Sequence, residues 1–448
     1  MKRKLLAACV AAAFALPLSA GATDGYFSHG YGMKAKGRGG AATAMIGDAF
    51  GGANNPATMA YAGNRFEIGL DLFSPHREAQ RTDGVPIGLT GTSESDSNYF
   101  FVPELAFNYM VRPDLALGVT VYGNGGLNTN YPGGELPSPG ACGPATGPGT
   151  GFNPQPGPYN LLCGTGRLGV DLSQLVIAPT IAWKFHQNHS VGLSPLLAYQ
   201  RFQAEGLGAF GPFTTDAANF SNRGYDDAFG WGARVGYYGQ LSPQVAIGAS
   251  YSTKISMDEF DKYRGLFAEQ GDFDIPSNWS IGIAFKPSPR WTIAADYVRI
   301  NYDDVKAVNN PSANVSGCLR GNASQCLGGS DGAGFGWQSI NVWKLGVEHA
   351  LDLNWTLRAG YNYSDNPIKS EDVTFNILAP GVIQHRVTLG GTYAWQQHEV
   401  TGAFMYAFKN DVTGPSLFNG FLPPGTPGFN EKIEMYEWSL GVQYAFKF

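Results

Sequence analysis

Fourteen times along this chain, apolar residues recur at every second position while glycine, polar or charged residues fill the positions between. Phe66, Ile68, Leu70 and Leu72 alternate with Glu67, Gly69 and Asp71, and Leu105, Phe107 and Tyr109 alternate with Glu104, Ala106 and Asn108. The same pattern returns over 115–121, 175–183, 191–199, 229–237, 245–251, 279–285, 291–297, 343–347, 355–361, 387–393, 400–408 and 436–448. A period of two is the signature of a strand with two unlike faces. An even number of strands of about ten residues, apolar on one face and polar on the other, is what a barrel in lipid requires, because lipid offers the backbone no hydrogen bonds. A soluble sandwich would show water more Lys and Glu, yet charged residues are only 15% of the chain where about 25% is usual. The expectation is an all-β protein, a transmembrane antiparallel β-barrel of fourteen strands.

The connections agree. Short turns at 112–114, 186–188, 241–243, 287–289, 351–353 and 395–397 alternate with long segments at 74–98, 124–168, 203–224, 253–277, 303–341, 364–383 and 410–434. Short periplasmic turns and long outer loops are the outer-membrane arrangement. Trp183, Trp279, Trp291, Trp355 and Trp438 lie near strand ends, where interfacial aromatic girdles form, and the last strand ends on Phe448.

Lys2, Arg3 and Lys4 precede an apolar run from Leu5 to Leu16 and a small-residue site at Ala20-Gly21-Ala22. This reads as a signal peptide over 1–22, cut before Thr23, and together with the barrel pattern it leads to the expectation of a protein of the outer membrane of a Gram-negative bacterium. Its loss takes away three positive charges and no negative ones, moving the net charge from −6 to −9, so no basic footprint for nucleic acid exists. No later stretch approaches the roughly 18 apolar residues of a membrane helix. Cys142 and Cys163 form one pair in loop sequence and Cys318 and Cys326 another. In an oxidising compartment they read as two staples. A metal site is the competing reading, but no His lies near any of them. Neither metal nor cofactor is expected.

The alternation fails over 23–63, a segment rich in small residues that includes Gly37, Gly39, Gly40 and Asn55-Pro56-Ala57. Such a segment can pack inside a barrel as a hatch, with glycine allowing close approach and Asn-Pro ending a helix. A disordered periplasmic tail is the alternative. The barrel then occupies 64–448.

Thr23-Asp24-Gly25-Tyr26-Phe27, Gly37-Arg38-Gly39-Gly40-Ala41, Asn55-Pro56-Ala57, Asp171-Leu172-Ser173-Gln174-Leu175 and the fourteen strand-like segments, in this order, resemble the FadL/TodX outer-membrane transporters. The resemblance implies a barrel plugged by an N-terminal hatch that carries long-chain fatty acids or other hydrophobic molecules passively. It also implies capture at an outer groove, transfer to an interior pocket, and lateral release where the third strand is kinked. Gly123, Gly125 and Gly126 are the kink candidates here, since glycine weakens strands and marks bulges; an ordinary loop start reads the same way.

Capture candidates in the loops are Phe210, Phe213, Phe220, Leu266, Phe267, Leu417, Phe418, Phe421 and Leu422, because apolar runs in polar loops mark interaction sites. A cargo carboxylate would seek a cation on the inward parity: Arg234, Lys344, Arg358 or Arg386. Inward Glu67, Asp71, Glu104, Asp296, Glu348 and Glu399 could instead hold those cations in a structural network. The partners expected are a hydrophobic small molecule and outer-membrane lipid, with the protein a monomer. Uptake of aromatic or aliphatic hydrocarbons is the alternative cargo. A diffusion porin would lack a plug, and a hydrolase would need a nucleophile beside one of only seven His, none of which stands in a nucleophile-elbow sequence. No enzyme activity is expected.

Overall fold

The computed structural model describes residues 23–82, 90–136, 142, 157–422, 425 and 427–448, so the signal-like 1–22 lies outside the described residues. Among them are sixteen strands in one sheet, of which Gly91–Glu94 and Ser256–Met257 are short arms laid on their neighbours. The other fourteen are β1 (Arg65–Thr82), β2 (Phe100–Arg112), β3 (Leu115–Tyr131), β4 (Leu168–His186), β5 (His189–Glu205), β6 (Asp226–Gln240) and β7 (Val245–Ser252). They continue with β8 (Asn278–Ser288), β9 (Trp291–Ile300), β10 (Ile340–Ala350), β11 (Trp355–Ser364), β12 (His385–Trp395), β13 (His398–Pro415) and β14 (Asn430–Lys447). Each pairs antiparallel with the next, and β14 returns to β1 from Arg65↔Lys447 to Thr82↔Asn430. The sheet therefore closes into a fourteen-stranded barrel.

The alternating parities face as expected. Trp231 and Leu389 are 73% and 61% exposed on the outer face, where lipid replaces water. Glu67, Asn108, Thr120, Gln200 and Asn362 point inward and are fully buried. Strand ends differ from the sequence reading. β1 continues to Thr82, β3 to Tyr131 and β13 to Pro415, while β14 begins at Asn430, so parts of the segments read as loops are strand. Above the lipid the ladder can run on with polar residues on both faces, so the alternation stops before the strand does.

One seam is thin. β4 and β5 pair from Gly169↔Glu205 to Ile177↔Leu197 and resume only at Ile181↔Leu193. The register on both sides puts Pro179 opposite Pro195, and neither has an N–H to donate. Both prolines face outward.

The segment 23–63 is folded inside the barrel. It makes one helical turn at Met33–Lys36 and 3-10 turns at Phe50–Gly52 and Pro56–Tyr61, and nearly every residue from Thr23 to Ala60 is buried. Gly40 shows why small residues fill it: its φ is +85°, and a Cβ there would lie 1.7 Å from His29 O. At the other end, the outer loops fold over the barrel into one apolar cluster that includes Tyr26, Phe202, Phe210, Tyr302, Trp337 and Phe375. Disulfides join Cys142 to Cys163 and Cys318 to Cys326 within these loops.

Candidate functional site: inner plug, split wall and two cavities

The plug is held by charge on several sides of the lumen. Lys34 pairs with Glu399 on β13 at 2.7 Å, Lys36 with Asp71 on β1 at 2.8 Å, and Arg38 with Glu348 on β10 at 2.9 Å. Asp24 meets Arg386 on β12 at 3.1 Å and Lys344 on β10 at 3.7 Å. Asp296 on β9 accepts from Ala42 N at 2.7 Å and Thr43 N at 2.8 Å. Buried ions are tolerated here because each has an opposite charge or several hydrogen bonds; removing one partner of such a pair costs about 3–5 kcal/mol.

The four inward cations are therefore occupied. Arg386 also donates to Asn362 Oδ1 at 2.8 Å and to Thr23 O, and Lys344 donates to His29 O at 2.8 Å. Arg234 donates to the plug carbonyls of Gly52 at 2.8 Å and Ala53 at 2.5 Å and to the Tyr122 hydroxyl at 3.2 Å. Arg358 donates to Glu348 at 2.7 Å and to Thr392 at 2.6 Å, and Glu348 in turn holds Arg38. Their positions fit a structural network about the plug.

Asn55-Pro56-Ala57 opens a turn where the sequence reading ended one. Asn55 Oδ1 accepts from Ala57 N at 3.1 Å, capping the 3-10 turn, with Pro56 at its first position. Asn is a strong N-cap, and a first-turn proline gives up an N–H that had no partner. Asn55 Nδ2 then donates to Thr43 O at 2.7 Å and to Tyr237 O on β6 at 2.9 Å, and Ser190 on β5 donates to Ala57 O at 2.9 Å. Gly37 ends the helical turn at Met33–Lys36, and Gly39 N donates to Thr388 Oγ1 on β12 at 2.8 Å.

The wall is split between β2 and β3. Their ladder runs from Arg112↔Leu115 to Leu105↔Val121 and stops. Beyond it, residues 100–104 of β2 pair only with β1, while β3 continues to Tyr131 against β4 with a bulge between Gly123 and Gly125. The glycine run thus lies within the strand. The plug takes the freed edge of β3: Ser28 N donates to Asn124 O at 3.1 Å and Gly126 N to Tyr26 O at 3.1 Å. Gly125 permits this approach, since a Cβ there would lie 1.7 Å from Tyr26 O.

A first cavity sits at this split, lined by Phe73, Arg77, Phe100, Leu127 and Met435, with Gly25 of the plug. Arg77 escaped the sequence reading because the first strand was ended at Leu72; its place on the inward parity with Glu67 and Asp71 was the available signal. A second cavity lies among the outer loops. Phe202, Phe210, Leu266, Phe267, Phe335 and Phe375 line it, and no polar side chain does. Of the capture candidates, Phe210, Leu266 and Phe267 therefore border it. Phe213 and Phe418 pack on Phe210 with ring centroids 6.4 Å and 5.9 Å away, Phe220, Leu417 and Leu422 join the same apolar cluster, and the Phe421 side chain lies outside the described residues. The two cavities stand back to back: Leu378 lines the second, and Ala379, Pro380 and Gly381 the first. Thr129 and Tyr131 of β3 pin that partition by donating to Leu378 O at 2.9 Å and Ile377 O at 3.0 Å.

A model of the family described as outer membrane protein transport protein (OMPP1/FadL/TodX) matches residues 163–448. A long-chain fatty acid transport protein of Escherichia coli is 22% identical over 290 residues, which span 58% of this chain and 59% of that protein's length. The crystal structure of the Pseudomonas putida toluene transporter TodX is similar over 95% of this chain and all of that one, at 18% identity and a TM-score of 0.64. That of a Pseudomonas aeruginosa FadL homologue covers 95% of this chain and 100% of its own, at 12% identity and a TM-score of 0.66.

Proposed function

The chain belongs to the OMPP1/FadL/TodX family of outer membrane transport proteins, and we propose that it gives hydrophobic molecules, with long-chain fatty acids and hydrocarbons as the two cargo classes, a passive route through the outer membrane. The observation that carries this reading is the loop cavity lined wholly by apolar side chains. Such a surface gains about 25 cal/mol for each Å2 of apolar area it buries, and it selects on that area alone. The relatives named for toluene and for long-chain fatty acids support both classes.

In this reading residues 1–22 direct export, residues 23–63 act as a hatch that keeps water and polar solutes out, and the cargo moves from the loop cavity across the Ile377–Gly381 partition to the split in the wall. There it leaves sideways into lipid. Phe101, 55% exposed on the outer face of β2 beside the split, gives that exit an apolar threshold. Passage needs the plug tip at Tyr26–Ser28 to leave the edge of β3. The closed barrel needs no second copy to cover an edge, which supports a monomer.

The test is a binding titration of purified protein in neutral detergent with oleate, a long alkane and an alkylbenzene. All three are expected to bind, and Leu266→Trp, which fills the loop cavity, is expected to weaken all three by tenfold or more. Single changes of Arg234, Lys344, Arg358 and Arg386 to Ala should leave the ranking of the three ligands unaltered. Failure of all three to bind would overturn the reading.

A further inference from the structure

The cavity at the split holds a buried cation that makes no ion pair. Arg77 is 3% exposed, and its hydrogen-bond partners are all neutral: Pro75 O at 3.0 Å, Ser95 Oγ at 2.7 Å, Ser97 O, and Asn128 Oδ1 at 3.5 Å. Its Nε has no partner at all. Most buried cations of the lumen meet a carboxylate, as Lys34, Lys36, Arg38, Arg65 and Arg386 do. Arg234, which does not, is enclosed by plug carbonyls. Burying an unpaired guanidinium is costly, so a site that keeps one has charge to spend on something else.

The surroundings say what that is. Phe73, Phe100, Leu127 and Met435 give the cavity a mostly apolar lining, with Asn128 its one other polar side chain, and Gly25, Gly126 and Gly381 bring backbone where side chains would otherwise fill the space. Phe100 and Gly126 would face each other if the β2–β3 register at Leu105↔Val121 continued, so the cavity lies in the opening itself. On the neighbouring β14, buried Glu431 is held by Arg81 and Glu434 by Lys409 and Lys432, while Glu437 stands opposite Pro75, and none of the three makes an ion pair with Arg77. An apolar slot with a single cation at its wall matches a molecule with an apolar body and one anionic end.

We propose that Arg77 is an anion-binding residue that receives the carboxylate of an amphipathic cargo at the split between β2 and β3, with the unpartnered Nε as the donor. The inference rests on the transport reading above and narrows it: the loop cavity admits any apolar body, and the cavity at the split favours those that carry a carboxylate. A fatty acid would lay its first methylenes against Phe73, Phe100 and Leu127 and point its chain toward the lipid. An alkane or an ester would pass the same place unheld.

The experiment compares oleate, methyl oleate and an alkylbenzene on purified protein in neutral detergent. Wild type is expected to bind oleate about tenfold more tightly than methyl oleate. Arg77→Gln should erase that preference by weakening oleate alone, and Arg77→Lys should keep part of it. A wild type that binds oleate and its ester equally, or an Arg77→Gln protein that loses both equally, overturns the assignment. If Arg77→Gln does not reach the heat-resistant folded form, Leu127→Trp decides: it fills the cavity without touching the charge and must also erase the preference. Binding of none of the three ligands by wild type would instead sink the transport reading on which the proposal stands.

Discussion

The hydroxyl of Tyr302 sits between two backbone atoms of the plug, accepting from Tyr26 N at 3.0 Å and donating to Asp24 O at 2.6 Å. The two rings lie 5.2 Å apart, and Trp337 meets Tyr302 edge-on at 5.1 Å. A residue just past the end of β9 thus fixes the turn that lets Tyr26 reach β3. Tyr302→Phe keeps the packing and removes both bonds, leaving a buried N–H unpaired at a cost of about 1–3 kcal/mol. The expected outcome is a folded, heat-resistant barrel with a looser plug tip, read as a raised influx of a small polar dye into liposomes.

Gly125 gives a sharper version of the same test. Val at this position would drive its side chain into Tyr26 O, which a Cβ already approaches to 1.7 Å, while β3 tolerates valine as a strand residue. Gly125→Val should therefore displace the tip and not the wall. Limited proteolysis near Tyr26 should become faster, with the strand content by circular dichroism unaltered.

The Asn55 side chain makes three hydrogen bonds, two within the plug with Ala57 N and Thr43 O and one to the barrel at Tyr237 O. Losing an N-cap alone costs about 1 kcal/mol, and the stranded carbonyls add to it. Asn55→Ala with Pro56→Ala should impair uptake more than assembly. Deleting 23–55 should go further, leaving a barrel in the membrane that leaks small polar solutes. Unchanged leakage would argue against a sealing role for the segment.

Acid should steady one outer loop. Burial and the adjacent Asp274 carboxylate push the Asp272 carboxyl up to about 7, while Asp274 is itself held by Lys254 at 2.6 Å and Met257 N at 2.8 Å. The folded value lies above the unfolded one of about 3.9, so the folded loop binds the extra proton. Its stabilisation is complete below about pH 4 and is lost as pH rises through about 7. Amide exchange over 253–277, corrected for intrinsic rate, should be slower at about pH 5.5 than at about pH 8.5, and Asp272→Asn should remove the difference.

The barrel was legible in the sequence because lipid and lumen make opposite demands on neighbouring residues. Ile68 and Glu67 cannot trade places, and that contrast repeats on every strand. Strand ends were less legible, since no apolar alternation marks β1 between Phe73 and Thr82, and with them went Arg77. The inward cations looked alike on paper. Parity places Arg386 and Arg234 in the lumen, but only the folded plug decides that Asp24 meets the first and two carbonyls the second. Asn-Pro can close one helical turn or open the next, and the choice depended on Thr43 and Tyr237, distant in sequence from Asn55.

The facing prolines of β4 and β5 bear on how this wall responds to force. Bulges interrupt other seams, as between Ala407 and Asn410 on β13, but here the missing donors of Pro179 and Pro195 leave a stretch between Ile177 and Ile181 outside the ladder, with Thr180 Oγ1 and Ser194 Oγ 2.7 Å apart on the inner side. A barrel pulled from one strand end would tear to this point and pause or fail there, so its rupture pattern should carry a fixed mark at these two residues whichever end is pulled.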